Sequence, residues 1–323
     1  MRAIICKEWG SVDDLTMEDV PPPVPADDEI LIEVKATSAN FADSLMIAGK
    51  YQTRPDLPFS PGLEASGIVL ACGNTVTNCK PGDRVMAMLA YGGYAEQAVA
   101  KTTDTFVIPD AMSFEDAATF PVAYLSSHVA IRWEGRLQLG ETLLVLGAAG
   151  GVGLTAVEIG KAMGARVIAA ASSAEKLAAA AAHGADDGIN YREDSLKDRV
   201  MALTGGKGVD VCFDPVGGDL FDSALSSLGW GGRILLVGFV GGIPQIPANR
   251  LLVKNRAALG SSLRHFRWHQ PDKLRQSVEE LFRWYKEDRL HPLITHRLPL
   301  ERTVDAIKLL TGRQAFGKVV VTP

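Results

Sequence analysis

The segment Leu143–Gly153, LLVLGAAGGVG, constrains this chain more than any other. Four consecutive apolar residues read as a buried parallel strand. A turn of glycine and alanine follows, and then a helix from Gly151. Strand, small-residue turn and helix in immediate succession are the context that a dinucleotide fingerprint requires. Backbone N–H groups at the helix start face outward, and the helix dipole favours an anion there. Small residues let a pyrophosphate approach the backbone, which makes Ala149, Gly150, Gly151 and Val152 the candidate phosphate contacts. Gly153 permits close packing of helix on strand. Ala148 occupies the first glycine position of the G-x-G-x-x-G pattern, so the reading leans on the flanking strand and helix. The alternative is an ordinary tight strand–helix turn.

The next strand, Arg166–Ala171, bears on which dinucleotide binds. Enzymes that take NAD place an acid at its end to hold the ribose 2′-hydroxyl. Here the strand ends in Ser172-Ser173 with no acid. A carboxylate would repel a 2′-phosphate, whereas a hydroxyl accepts it, and Lys176 can supply positive charge one turn later. The pattern predicts NADPH. Either serine also suits a helix N-cap, and Lys176 suits a solvated helix face; the roles are compatible.

The flanking organisation agrees. With 323 residues, two domains are expected. Residues 1–120 read as β-rich, with strands at Glu29–Ala36, Gly67–Leu70, Val85–Met88 and Tyr94–Ala100 between Pro and Gly turns, as in a partly open barrel. A helix start at Ser113 leads into residues 121–262, where strands alternate with helices. Strands are predicted at 142–146, 166–171, 209–213 and 233–237, and helices at 151–163, 174–183, 196–203 and 220–228. This alternation specifies a parallel sheet with helices on both faces. Residues 263–323, with a charged helix at 273–288 and a closing strand at Lys318–Val321, are expected to complete the first domain.

Net charge is −5 with no basic run, so a nucleic-acid partner is not expected. No apolar stretch reaches membrane-spanning length and no signal peptide is read at the start, so no membrane association and a cytoplasmic location are expected. Cys6, Cys72, Cys79 and Cys212 form no CxxC pair or metal-ligand spacing and read as reduced thiols.

Six motifs complete the picture: Asn40-Phe41-Ala42-Asp43, Pro61–Gly67 (PGLEASG), Pro81–Val85 (PGDRV), Ala148–Gly153, Asp214–Gly218 (DPVGG) and Phe316–Val320 (FGKVV). On these the chain resembles the medium-chain dehydrogenase/reductase superfamily, nearest its zinc-independent quinone oxidoreductase branch, over essentially its whole length. The resemblance implies an α/β Rossmann domain inserted in a β-rich GroES-like catalytic domain, with the active site in the cleft between them. It also implies a homodimer, commonly joined through edge strands of the Rossmann sheets.

Zinc-dependent relatives carry a cysteine where Asn40 stands and a histidine where Leu63 stands, so no metal is expected. His265 and His269 share a helical spacing, but their aromatic and basic surroundings suit a surface better than a metal. By similarity, Asn40, Asp43 and Tyr51 line the nicotinamide and substrate site. Asn40 is expected to donate from its amide to a carbonyl oxygen; Tyr51 either donates a proton or packs against substrate. Ser126, Tyr191, Gly238, Phe239 and Lys318 match family positions near the cofactor. Leu45 stands where some quinone reductases carry a second tyrosine, which makes the pocket more apolar. The expected activity is NADPH-dependent hydride transfer to a small electrophile, a quinone or an α,β-unsaturated carbonyl. The alternatives are an enoyl-thioester reductase, with Arg264 or Arg267 meeting substrate phosphates, and a non-catalytic NADPH-binding protein.

Overall fold

The alternating run at residues 29–36 becomes the longest strand of the protein, and its alternation shows in its burial. Ile30, Ile32, Val34 and Ala36 are buried, while Glu29, Leu31, Glu33 and Lys35 are half-exposed. The alternation ends at Thr37 and Ser38, which are polar and fully buried. Their partners are part of the candidate site.

The computed structural model describes residues 1–323. Two compact units emerge, Met1–Val122 with Pro292–Pro323, and Ala123–His291. In the first unit β1 (Arg2–Ile5) pairs antiparallel with β2 (Thr16–Asp19). The main strands are β3 (Glu29–Ser38), β4 (Glu64–Cys72), β5 (Arg84–Met88), β6 (Gln97–Lys101) and β7 (Thr105–Val107). Along one edge, the first half of β3 pairs with β6, while its end pairs with the C-terminal strand of the chain; β4 lies along the other edge. One strand with three neighbours curves the sheet toward a barrel. Helices α1 (Phe41–Ile47) and α2 (Phe114–Ala117) lie in its N-terminal part.

The second unit contains the six parallel strands β8 (Thr142–Leu146), β9 (Arg166–Ala171), β10 (Asp187–Asn190), β11 (Val209–Asp214), β12 (Leu228–Leu236) and β13 (Ala257–Gly260). Their order is β10-β9-β8-β11-β12-β13, the doubly wound arrangement of the Rossmann fold. The helices are α3 (Leu125–His128), α4 (Gly151–Ala162), α5 (Ala174–Ala182), α6 (Leu196–Leu203), α7 (Leu220–Ser227), α8 (Ala248–Leu252), α9 (Leu263–His269) and α10 (Pro271–Lys286). Strands β10 and β13 escape the sequence reading. Each has four residues, and the Asp-Gly start of β10 is a poor strand former.

The return to the first unit comes at Pro292, not at residue 263 as the sequence suggested. Leu274, Val278, Leu281 and Trp284 form a buried stripe along α10. The Trp284 ring lies 5.5 Å from that of His128, and Trp133 Nε1 donates to Ser277 Oγ at 2.9 Å, both within the second unit. The stripe shows that α10 needs a core, but its spacing does not say which one. Strands β14 (Ile294–Pro299) and β15 (Lys318–Thr322), with α11 (Thr303–Thr311), then complete the first unit, and β15 pairs antiparallel with the end of β3.

Candidate active site

In the second unit, the carboxyl ends of the parallel strands carry most of the residues singled out for the cofactor. The turn after β8 starts at Gly147, whose φ of +57° suits glycine. Ala148 in the first glycine position is fully buried and donates from its N–H to the Ala170 carbonyl at 3.1 Å. The backbone there faces the sheet, so a methyl group is accommodated. Gly150 is the N-cap of α4, and no side chain caps this helix. The N–H groups of its first turn, at Gly151 and Val152, are therefore left for an anion. A Cβ at Gly153 would collide with the Gly147 carbonyl oxygen, so only glycine lets α4 start this close to β8.

At the end of β9, Ser173 caps α5 by accepting from the Lys176 N–H at 3.4 Å. Ser172 is half-buried and makes no such bond, so its hydroxyl is left for a ligand. Lys176 is half-buried and engaged in no ion pair. Tyr191 follows β10; its N–H donates to Ala171, the residue before Ser172, at 3.2 Å, and its ring packs on the core. Beyond β12, the loop bearing Gly238 and Phe239 is tied to the end of β11. Val237 N–H donates to Asp214 O at 3.0 Å and Gly241 N–H to Val216 O at 2.7 Å. Asp214 is fully buried; its Oδ1 accepts from Val216 and Gly217 N–H at 2.8 Å each, and burial raises its pKa above the usual carboxylate range. Ser126 is half-buried on α3. Its neighbour Ser127 is the residue tied to α4, through Val152 O at 2.8 Å.

The first unit holds a different construction, a cluster of ionisable groups in the core. Asn40 is the N-cap of α1, and Asp43, three residues on, accepts from the Asn40 N–H at 2.8 Å through Oδ2. The Tyr94 hydroxyl donates to the same oxygen at 2.6 Å. Asp43 Oδ1 is buried without a partner. Burial pushes the Asp43 carboxyl up to about 7, against the opposing pull of those two hydrogen bonds. The Tyr94 hydroxyl is raised well above its usual range by burial and by Asp43.

Glu64, wholly buried at the start of β4, is the hub of a second set of bonds. Its Oε1 accepts from Ser38 Oγ, from Asn40 Nδ2 at 2.7 Å and from Lys318 Nζ at 3.3 Å, and its Oε2 accepts from Val122 N–H at 2.8 Å. Lys318 Nζ also donates to Asn40 Oδ1 at 2.7 Å. This fixes the Asn40 amide by chemistry. Its oxygen must face the ammonium, which only donates, and its nitrogen the carboxylate, which only accepts. Asn40 Nδ2 donates its second proton to Ser38 O at 3.1 Å. Both amide protons are spent inside the protein. The expected donation from Asn40 to a substrate carbonyl is therefore closed.

The cluster thus unites Asn40, Asp43 and Lys318 from the sequence reading. Lys318, which the resemblance puts near the cofactor, lies in the first unit's polar core. Tyr51 is half-buried and packs on the apolar cluster of Met46, Ile47 and Phe59. Glu64 and Tyr94 are not singled out by the sequence. Glu64 lies inside the PGLEASG motif, where an acid at a strand start between apolar residues was the available signal. Tyr94 carries none; in the sequence it is one more residue of the strand predicted at Tyr94–Ala100. Leu63 is buried in an apolar cluster, and no group of three or more His, Cys, Asp or Glu side chains is placed to hold a metal ion.

Comparison with known proteins matches a family to each unit. The alcohol dehydrogenase GroES-like domain family matches residues 26–110, and the zinc-binding dehydrogenase family matches residues 151–284. Quinone oxidoreductase-like protein 2 of Rattus norvegicus is 38% identical over 99% of this chain and 92% of its own length. The chain belongs to the quinone oxidoreductase branch of the medium-chain dehydrogenase/reductase superfamily. The Homo sapiens quinone oxidoreductase is 30% identical over 99% of this chain and 97% of its own. The crystal structure of Escherichia coli quinone oxidoreductase complexed with NADPH superposes with a TM-score of 0.94 at 31% identity, covering 100% of both chains. As in other members of this superfamily branch, a GroES-like unit and a Rossmann unit share one chain, and the protein is an oxidoreductase.

Proposed function

We propose that this oxidoreductase uses NADPH to reduce quinones or α,β-unsaturated carbonyls, without zinc. The observation that carries the reading is the acid-free end of β9, where Ser172 offers a hydroxyl and Lys176 a positive charge beside an uncapped helix start. The residues fit the cofactor: a Cβ at Gly153 would collide with the Gly147 carbonyl oxygen, and β9 ends in Ser172 and Ser173 in place of an acid. Gly151 and Val152 bind the pyrophosphate through backbone N–H groups. Ser172, Ser173, Lys176 and Tyr191 hold the 2′-phosphate end, while Ser126, Gly238 and Phe239 position the nicotinamide end. When bound, NADPH supplies hydride from C4 of its nicotinamide. Independence from zinc is supported by Asn40 and Leu63, neither of which offers the thiolate or imidazole of a zinc ligand. Tyr51 shapes the acceptor site or passes it a proton.

The acceptor class is tested by following NADPH oxidation with 1,4-benzoquinone, cyclohexenone and crotonyl-CoA. The reading expects turnover with the first two. Turnover with crotonyl-CoA alone would favour a thioester reductase in which Arg264 or Arg267 meets the substrate phosphates. NADPH binding with no turnover of any acceptor would leave a cofactor-binding protein.

The same reading includes a homodimer. Strand β13 pairs only with β12, so its other edge is open to a second copy, and Trp230, Leu252 and Val253 are 72%, 80% and 72% exposed in the same unit. Light scattering after size exclusion should give twice the chain mass. The four free cysteines suit a cytoplasmic protein, and no helix is long and apolar enough to cross a membrane.

A further inference from the structure

The polar cluster of the first unit is closed except at two members. Ser38, Asp43, Glu64 and Tyr94 have no exposed surface, whereas Asn40 retains 8% and Lys318 4%. Any acceptor that reaches this cluster meets those two residues. Asn40 has no amide proton to offer, since both are donated to Glu64 and Ser38. Lys318 carries three N–H bonds and directs them at two acceptors, Asn40 Oδ1 at 2.7 Å and Glu64 Oε1 at 3.3 Å.

We propose that Lys318 is the catalytic residue that holds the acceptor's carbonyl oxygen as it becomes negative, with Asn40 and Glu64 as the positioning residues that aim it. The inference rests on the reductase reading. With NADPH bound, hydride transfer would break the C4–H bond of the nicotinamide, oxidise NADPH to NADP⁺ and form a carbon–hydrogen or oxygen–hydrogen bond on the quinone or enone, leaving an electron pair on a carbonyl oxygen, as a phenolate or enolate. The acceptor is thereby reduced, and a proton from water later neutralises that oxygen. A fixed ammonium of low exposure meets such an oxyanion more strongly than a solvated one, because its orientation is set before the charge appears. The fold secures that orientation. Lys318 opens β15, its N–H donates to Leu293 O at 2.8 Å, and Gly317 before it has φ +67° with no room for a side chain against Leu293. Glu64 offsets the charge of Lys318, and Asn40 bridges the two at both ends of its amide.

The competing role for Lys318 is to neutralise Glu64 and nothing more. A single Lys318→Met change confounds the two roles by stranding a buried carboxylate. The double variant Glu64→Gln, Lys318→Met removes both charges and keeps a polar partner for Asn40, so it separates them. Three quantities decide: kcat/KM for 1,4-benzoquinone and cyclohexenone with NADPH, NADPH affinity by fluorescence titration, and the affinity of the enzyme–NADP⁺ complex for 4-nitrophenolate. Wild-type turnover must come first; its absence defeats the reductase reading itself. Given wild-type turnover, the double variant should bind NADPH within about threefold of wild type but lose about 100-fold or more in kcat/KM. It should also bind 4-nitrophenolate at least about tenfold more weakly. A double variant that retains wild-type kcat/KM, or binds nitrophenolate as tightly as wild type, would show that Lys318 only balances Glu64.

Discussion

The carboxyl edge of the second unit's sheet presents backbone N–H groups, glycines and a hydroxyl, with few side chains committed to one another. The cluster at Asn40, Asp43, Glu64, Tyr94 and Lys318 in the first unit is the reverse, since its charged side chains are buried and mostly bonded to each other. The first construction suits a large anionic ligand that brings its own charge and needs only open donors. The second suits a small acceptor, where one placed charge must stay fixed while the reacting group changes. The two should therefore fail differently when altered, one through cofactor affinity and the other through stability and turnover.

The largest effect is expected in the cluster. Glu64→Ala strands the ammonium of Lys318 and removes an acceptor from three other donors, at a cost of about 3–5 kcal/mol in stability. Urea denaturation measures this, and a loss below about 1 kcal/mol would mean that the cluster is more hydrated than its burial indicates. In the second unit, Gly153→Val should cost about 1–3 kcal/mol by pushing α4 off β8. The same change should abolish measurable NADPH binding while leaving the first unit folded. Unimpaired NADPH titration in that variant would remove the helix start from the binding site. A smaller and more selective change is expected for Ser172→Asp, with NADPH affinity falling about tenfold or more and NADH affinity rising, because a carboxylate repels a 2′-phosphate. An unchanged preference would show that Ser172 does not face the ribose.

A further effect concerns pH. The Asp43 carboxyl sits at about 7 in the folded protein against an ordinary 3.8, so the native state holds this proton more tightly than the unfolded chain. The resulting stabilisation is complete below about pH 4 and is lost as pH rises through about 7. Between pH 5 and 8 the wild type should lose roughly 2–3 kcal/mol from this group, and Asp43→Asn should remove that slope. Parallel pH–stability curves for the two proteins would place the Asp43 proton elsewhere.

The same contrast explains what could be read from the sequence. The turn after β8 and the end of β9 are local, and each is announced by consecutive residues whose types and order already imply the chemistry. The doubly wound sheet was legible for a related reason, because alternation of strand and helix repeats along the chain. The cluster joins residues 40, 43, 64, 94 and 318, and no local pattern links Tyr94 to Asp43 or Lys318 to Glu64. Family motifs brought Asn40, Asp43 and Lys318 into view but did not show how the amide of Asn40 is spent. That is set only by the tertiary fold. The position of α10 was hidden in the same way, since a buried stripe on a helix reveals the need for a core without naming it.

Preference for NADPH over NADH as the reductant is the most direct consequence of the second unit's construction. The measurement is the initial rate of 1,4-benzoquinone reduction by the wild-type protein with NADPH and with NADH at equal, subsaturating concentrations. A rate at least about tenfold higher with NADPH is the expected result, from an open hydroxyl and a lysine where an acid would otherwise stand. Equal rates, or a higher rate with NADH, would contradict it.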